Sequence, residues 1–243
     1  MKYSSFKKRI ADCAKDFCDE EFLENRKNIR IKKEAVVAKN LEKIFDATLK
    51  ISNSKGFQAM TMRDLSAEAG LSMGALYSYF SCKEDLLKML QSQKRCVTKK
   101  ILKEHISKED TIEERLRTAI RTHLYLSEAM QPWFYFSYME TKNISGQEQA
   151  KAIESELYTE KIFETLLKDG EKSGIFLKRD HQLTASIIKA MLQDWYLKRW
   201  KYARRNISVE SYANYLISII ENFCLSAGKK EKIQKPGSKN GSH

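Results

Sequence analysis

Only 9 glycines and 2 prolines punctuate the 243 residues of this chain. A fold of many short strands needs a turn residue at nearly every reversal, and that supply is missing here. The residues in between favour helix. Charged side chains make up 31% of the chain, dominated by Lys and Glu, which are good helix formers and poor strand formers. A turn-rich sandwich or barrel is therefore disfavoured and an all-α fold is expected. The 42% apolar fraction suffices for one sizeable core or two small ones and separates the chain from disordered sequences.

Apolar spacing divides the chain into helices. Phe6, Ile10, Cys13 and Phe17 recur on one helical face beside Lys7, Lys8, Arg9 and Lys15, which predicts an amphipathic N-terminal helix. The stripe Val37, Leu41, Ile44, Thr48 and Ile51 predicts a helix that stops at Lys55-Gly56. Thr61-Met-Arg-Asp64 and Ser81-Cys-Lys-Glu84 have capping-box spacing, and Thr111-Ile-Glu-Glu114 repeats it at the start of a second helical region. Further helices are expected near 111–129, 133–142, 147–170, 181–204 and 208–226, separated by Pro132, Gly146, Gly170 to Gly174 and Asn206. Residues 228–243 collapse to Lys, Gly, Ser and Asn and are expected to be a disordered tail.

Between Thr61 and Phe80, two short helices flank Ala69-Gly-Leu-Ser72, the spacing of a helix-turn-helix. A second helix this short is not stable alone, so its value lies in what it presents. Its N-terminus suits phosphate, Ser72, Gly74 and Ala75 are small enough for close approach to a groove, and Tyr77, Ser78 and Tyr79 offer hydroxyls. A plain helical corner has the same outline. The basic flank of Lys32, Lys33, Arg63 and Lys83, together with a net charge of +12, favours DNA over that bland reading.

Gly56-Phe57, Thr61, Leu65-Ser66, the run Ala69 to Phe80 and Lys83-Glu-Asp-Leu-Leu87 together resemble the N-terminal DNA-binding domain of the TetR family of bacterial transcriptional regulators. The resemblance spans about 50 residues with its motifs in order. It implies a helix-turn-helix domain followed by a helical ligand-binding and dimerisation domain. It also implies a homodimer that binds a double-stranded DNA operator until a small effector releases it. The matching recognition helix is Ser72 to Tyr79, with Met73 where many members carry Lys or Arg and Ala75 where many carry Thr. The matching phosphate contacts are Thr61, Arg63, Tyr77 and Lys83. The expected organisation is an N-terminal extension over 1–32, a reading domain over 33–80, a ligand and dimer domain over 81–227, and the tail.

Aromatics concentrate in the second domain. Trp133, Phe136, Tyr138, Trp195 and Arg199 are the candidate ligand-binding residues, with Arg121 and His123 as further anion partners. Ordinary core packing suits the same aromatics. A hydrophobic effector such as a fatty acyl compound follows from the general family pattern. The stripes Leu183, Ile187 and Met191, then Tyr212, Leu216, Ile219 and Phe223, are the expected dimer face.

No catalytic residue is assigned. None of the four histidines has the E-x-x-H spacing of a di-iron bundle, and the hydrolase, zincin, P-loop and dinucleotide motifs are missing, so no metal and no cofactor are expected. The five cysteines form no C-x-x-C pair and read as reduced thiols of a cytoplasmic protein. No stretch approaches the length of a membrane span. A helical adaptor explains the bundle but not residues 61–86, and a basic membrane-surface protein explains Phe6 to Phe17 alone.

Overall fold

The computed structural model describes residues 1–13, 34–144 and 146–226, and the described residues form helices with one isolated antiparallel bridge, Phe176 to Leu225. The helices are α1 (Tyr3–Cys13), α2 (Glu34–Lys55), α3 (Met62–Ala69), α4 (Met73–Tyr77), α5 (Lys83–Ile106), α6 (Ile112–Ala129), α7 (Gln131–Glu140), α8 (Gly146–Lys172), α9 (His181–Leu197), α10 (Arg199–Arg204) and α11 (Val209–Cys224). Expectations for Phe17, Lys32, Lys33 and the tail fall outside these residues.

Two compact units emerge. Among the described residues, the first comprises those within Met1–Ile101 and Tyr125–Glu156, and the second those within Leu102–Leu124 and 157–226. In the first unit, α2 packs on α3 and on α7, and one core runs from Val37 through Leu90 and takes in Phe136 and Ile144. Distant residues thus join the reading domain because their aromatic faces find it: Phe45 meets Trp133 edge-on at 5.4 Å and Phe57 meets Phe136 at 5.5 Å. The N-terminal helix also belongs here. Its Phe6 and Ile10 are buried, and Tyr3 and Phe6 both lie edge-on to Tyr125, at 5.4 and 5.6 Å.

In the second unit, Leu116, Ile120, Phe163, Leu167, Ile188 and Leu192 form the core. Arg117 pairs with Glu114 and with Glu221 on α11. The Gly170 separator expected from sequence is instead inside α8, which continues to Lys172. A Cβ at Gly170 would lie 2.0 Å from the buried Phe176 ring, so glycine is there to seat that ring. The helix expected over 181–204 breaks at Lys198, where no glycine or proline announces it. The expectation of reduced thiols needs one correction. Cys82 and Cys224 are free, but Cys96 is disulfide-bonded, a pairing that depends on proximity in space rather than on spacing in sequence.

Candidate nucleic-acid interface

The first helix of the reading motif begins where its side chains make a start possible. The Thr61 hydroxyl accepts the Asp64 N–H at 3.1 Å while the Asp64 carboxylate accepts the Thr61 N–H at 2.8 Å, a complete capping box. Lys55 donates to the same carboxylate at 2.7 Å, and this bond, with those from Thr61, holds the Asp64 carboxyl well below the usual range. The helix ends at Gly70, whose φ of 63° is the left-handed conformation that closes the turn. Ser72 then caps α4 by accepting the Ala75 N–H at 3.2 Å.

These two caps leave a five-residue helix whose buried anchor is Leu76. Ser72 and Gly74 are exposed, Met73 and Ala75 are half-buried, and Tyr77 is 50% exposed. Arg63 is exposed on α3. Ser78 is partly turned inward, its hydroxyl donating to the Ala75 carbonyl at 2.6 Å. Tyr79 stands apart from the expected set. It is buried to 1%, its hydroxyl accepts from Asn40 Nδ2 at 2.8 Å, and it supports α4 from behind. A tyrosine alternating with a tyrosine looks equivalent in sequence, but a helical turn points Tyr77 out and the next step points Tyr79 in.

Lys83 is also committed. Its ammonium donates to the carbonyls of Phe57 and Gln58 at 2.8 and 3.0 Å and lies 4.9 Å from the Phe57 ring centroid. Burial pushes its pKa down. The helix it opens starts at Lys83 rather than at the expected box, because Asp85, not Glu84, accepts the Ser81 N–H, at 3.2 Å.

The candidate ligand residues divide between the units. Phe136 is buried and Trp133 half-buried against the core of the first unit, whereas Tyr138 is 48% exposed. Trp195 is fully buried in the second unit, stacked on Tyr202 at 4.8 Å and tilted against Tyr212 at 5.0 Å, with the Arg199 guanidinium 4.8 Å from its ring. His123 and Lys189, both buried, approach to 3.4 Å, and Arg121 reaches Asn214 at 3.5 Å. Lys189 escaped the sequence reading because a lysine within an apolar stripe looks like its solvated edge.

The expected dimer residues also separate. Leu183, Ile187, Ile219 and Phe223 are exposed, and Tyr215, at 70%, joins them. Leu216 is instead buried within the protomer, and Tyr212 is half-buried with its hydroxyl donating to the Met191 carbonyl at 2.7 Å.

A capped helix, a tight left-handed turn and a five-residue helix with its outer side open form a helix-turn-helix, and with the family matches that follow they place the chain among DNA-binding transcriptional regulators. The models for bacterial regulatory proteins of the tetR family and for the tetracyclin repressor-like C-terminal domain match residues 44–90 and 109–219. The chain belongs to the TetR family. It is 22% identical over 203 residues to the HTH-type transcriptional regulator HbdR of Aromatoleum sp. strain CIB, covering 84% of this chain and 89% of that one. The fold is shared with Bacillus subtilis FadR in complex with stearoyl-CoA, at a TM-score of 0.61 and 20% identity over 74% of this chain and 96% of that one. AibR in complex with isovaleryl coenzyme A and operator DNA gives 0.65 and 16%, covering 76% and 97%.

Proposed function

We propose that this regulator is a cytoplasmic homodimeric repressor whose protomers each read half of a roughly palindromic operator, and that an acyl-CoA or similar hydrophobic acyl compound releases it. The observation that carries the reading is the outward face of α4, where Met73, Gly74, Ala75 and Tyr77 surround one buried leucine. Ala75 suits a thymine methyl in the major groove, and Arg63 and Tyr77 suit flanking phosphates. Lys83 reaches a phosphate only by releasing its two carbonyl acceptors, so it contributes to holding the head together first. The chemistry is binding, with no catalytic step, in keeping with relatives that are regulators.

The dimer would form through the outer rows of α9 and α11, namely Leu183, Ile187, Tyr215, Ile219 and Phe223, whose exposure is large for apolar side chains. The effector would be taken by the second unit, where the Arg199 guanidinium lies over the buried Trp195 ring and Lys189 is buried beside His123, so that Arg199 and Lys189 are the side chains suited to an anionic headgroup. The acyl class is taken from FadR and AibR, which were solved with stearoyl-CoA and isovaleryl coenzyme A.

The test begins with a genome-wide footprint that supplies the operator. Ala75→Glu should abolish retention of that DNA while leaving thermal unfolding unchanged, and Arg63→Ala should reduce the salt slope by ~0.9. Ile219→Glu should convert a dimer to a monomer in light scattering. Release by long-chain or branched acyl-CoA completes the test; a hundredfold loss of operator affinity corresponds to ~2.7 kcal/mol of coupling between the two sites. Undiminished operator binding by Ala75→Glu would sink the assignment of α4.

A further inference from the structure

We propose that a cleft in the first unit, walled by the N-terminal helix, binds a compact aromatic carboxylate, at a site separate from the acyl compound assigned to the second unit. The cleft has a volume of about 420 Å³ and lies where α1, the C-terminal half of α2 and the junction of α6 with α7 meet. Its apolar lining includes Ile10, Leu49, Met130 and Trp133, so the floor offers an indole ring and aliphatic surface. Lys7 from α1 and Lys50 from α2 stand at the same cleft, both exposed. An apolar floor edged by two ammonium groups fits a flat apolar body with an anionic end. The volume falls in the lower part of the range of ligand sites, roughly 300 to 1,000 Å³, which suits a one- or two-ring acid.

The wall supplied by α1 is a built feature. Phe6 and Ile10 are almost fully buried, and Phe6 and Tyr3 are clasped edge-on by Tyr125. Lys50 is paired with Glu68, its Nζ 2.6 Å from that carboxylate, but 72% of the lysine side chain is exposed, so exchanging that partner for a bound anion costs little. Asp46, also at the cleft, opposes an anion when ionised. Burial and the neighbouring Glu42 raise its pKa, and the two lysines at the cleft set two positive charges against its one negative charge. Lys50 also ties the cleft to the reading motif, since Glu68 sits on α3. A carboxylate that draws Lys50 away from Glu68 would act on the first helix of that motif directly.

The experiment is calorimetric titration of the full chain with 2-naphthoate and, separately, with neutral 2-naphthamide. One naphthoate per chain is expected, with the amide at least tenfold weaker. Lys7→Glu and Lys50→Glu should each weaken naphthoate about tenfold, and Asn53→Trp, at an exposed rim position, should block it. All three variants should retain wild-type circular dichroism because each residue is exposed, and Lys50→Glu alone should unfold at a slightly lower temperature, since it sets a carboxylate opposite Glu68. Naphthoate that binds all three as tightly as wild type, or that fails to bind wild type at millimolar concentration, overturns the proposal; equal affinity for the amide overturns the anionic class. Operator retention and its release by acyl-CoA are measured on the same Asn53→Trp protein. Loss of naphthoate binding with acyl-CoA release intact supports two sites, and loss of acyl-CoA release in the wild type counts against the earlier reading alone.

Discussion

Around Phe45, Phe57, Trp133 and Phe136 the rings meet edge to face inside an apolar core, whereas around Trp195 they stack beside a carboxylate and several cations. Asp194 is the centre of the second arrangement. It accepts from Lys198, Lys201 and the Tyr202 hydroxyl, and the Trp195, Tyr202 and Tyr212 rings pack next to it. The first cluster is held by burial and shape, which pH does not alter. The second is held partly by charge, which pH does alter. Similar residues in similar helices thus give one region a fixed support for the reading head and the other a titratable centre.

Truncation should separate the two most strongly. Phe136→Ala removes a buried ring that braces Phe57 and should cost about 3–5 kcal/mol in urea unfolding. Amide exchange in α3 and α4 should accelerate with it. Trp195→Ala should cost a similar amount, about 3–5 kcal/mol, yet leave exchange in α3 and α4 as in the wild type. Equal acceleration of those helices by both variants would break the distinction.

A smaller effect should come from the charge. Burial by itself would raise the Asp194 pKa, but donors from Lys198, Lys201 and Tyr202 outweigh it and hold the carboxyl well below its usual value. Asp194→Asn should cost about 1–2 kcal/mol at neutral pH, allowing for its partial exposure. A depressed carboxylate pKa contributes stability above the unfolded value, about 4, and loses it as pH falls through the folded value. The difference between wild type and Asp194→Asn should therefore shrink in acid, while the difference between wild type and Phe136→Ala should stay flat over the same range. Parallel curves for both pairs would show that the second cluster is held by packing alone.

The smallest change is expected at Tyr202. Burial, then the bond to Asp194, pushes its hydroxyl up to about 12. Tyr202→Phe should cost about 0.5–1.5 kcal/mol at neutral pH. With the folded pKa raised above the ordinary 10, that contribution is full below pH 10 and lost as pH rises through about 12. Tyr212 beside it is also pushed up by burial, so ultraviolet titration of phenolate absorbance should show one late-titrating group fewer in Tyr202→Phe than in wild type.

The elements legible in the sequence are those written locally. The Thr61 box, Gly70 and the Ser72 cap each involve residues within a few positions, and the structure forms them as the spacing predicts. What depends on distant partners was not legible. Phe136 joins the reading domain through a ring about 80 residues earlier, which no spacing rule reaches. The α9 stripe shows a second difficulty. Residues four apart drift about 40° per step around a helix, so Leu183 and Ile187 face out while Trp195, on the same nominal stripe, has rotated into the core. On α11 the same effect hides two rows, with Leu216 inside and Tyr215, Ile219 and Phe223 outside. A helix apolar over so wide an arc serves two neighbours, and periodicity alone does not say which row serves which.

The short reading helix keeps its address and its anchorage on different residues. Leu76 and, just beyond the helix, Tyr79 hold it to the scaffold, while Gly74 and Tyr77 are exposed and Met73 and Ala75 only half-buried. Apart from its chain neighbours and the backbone of its own helix, nothing lies within 4 Å of a Cβ built on Gly74. Those four positions can therefore be rewritten together without renegotiating the interior. Duplicated copies of such a gene can diverge towards new promoters by changes that the folding machinery never registers, and a four-position library on this scaffold is the natural way to choose a new one.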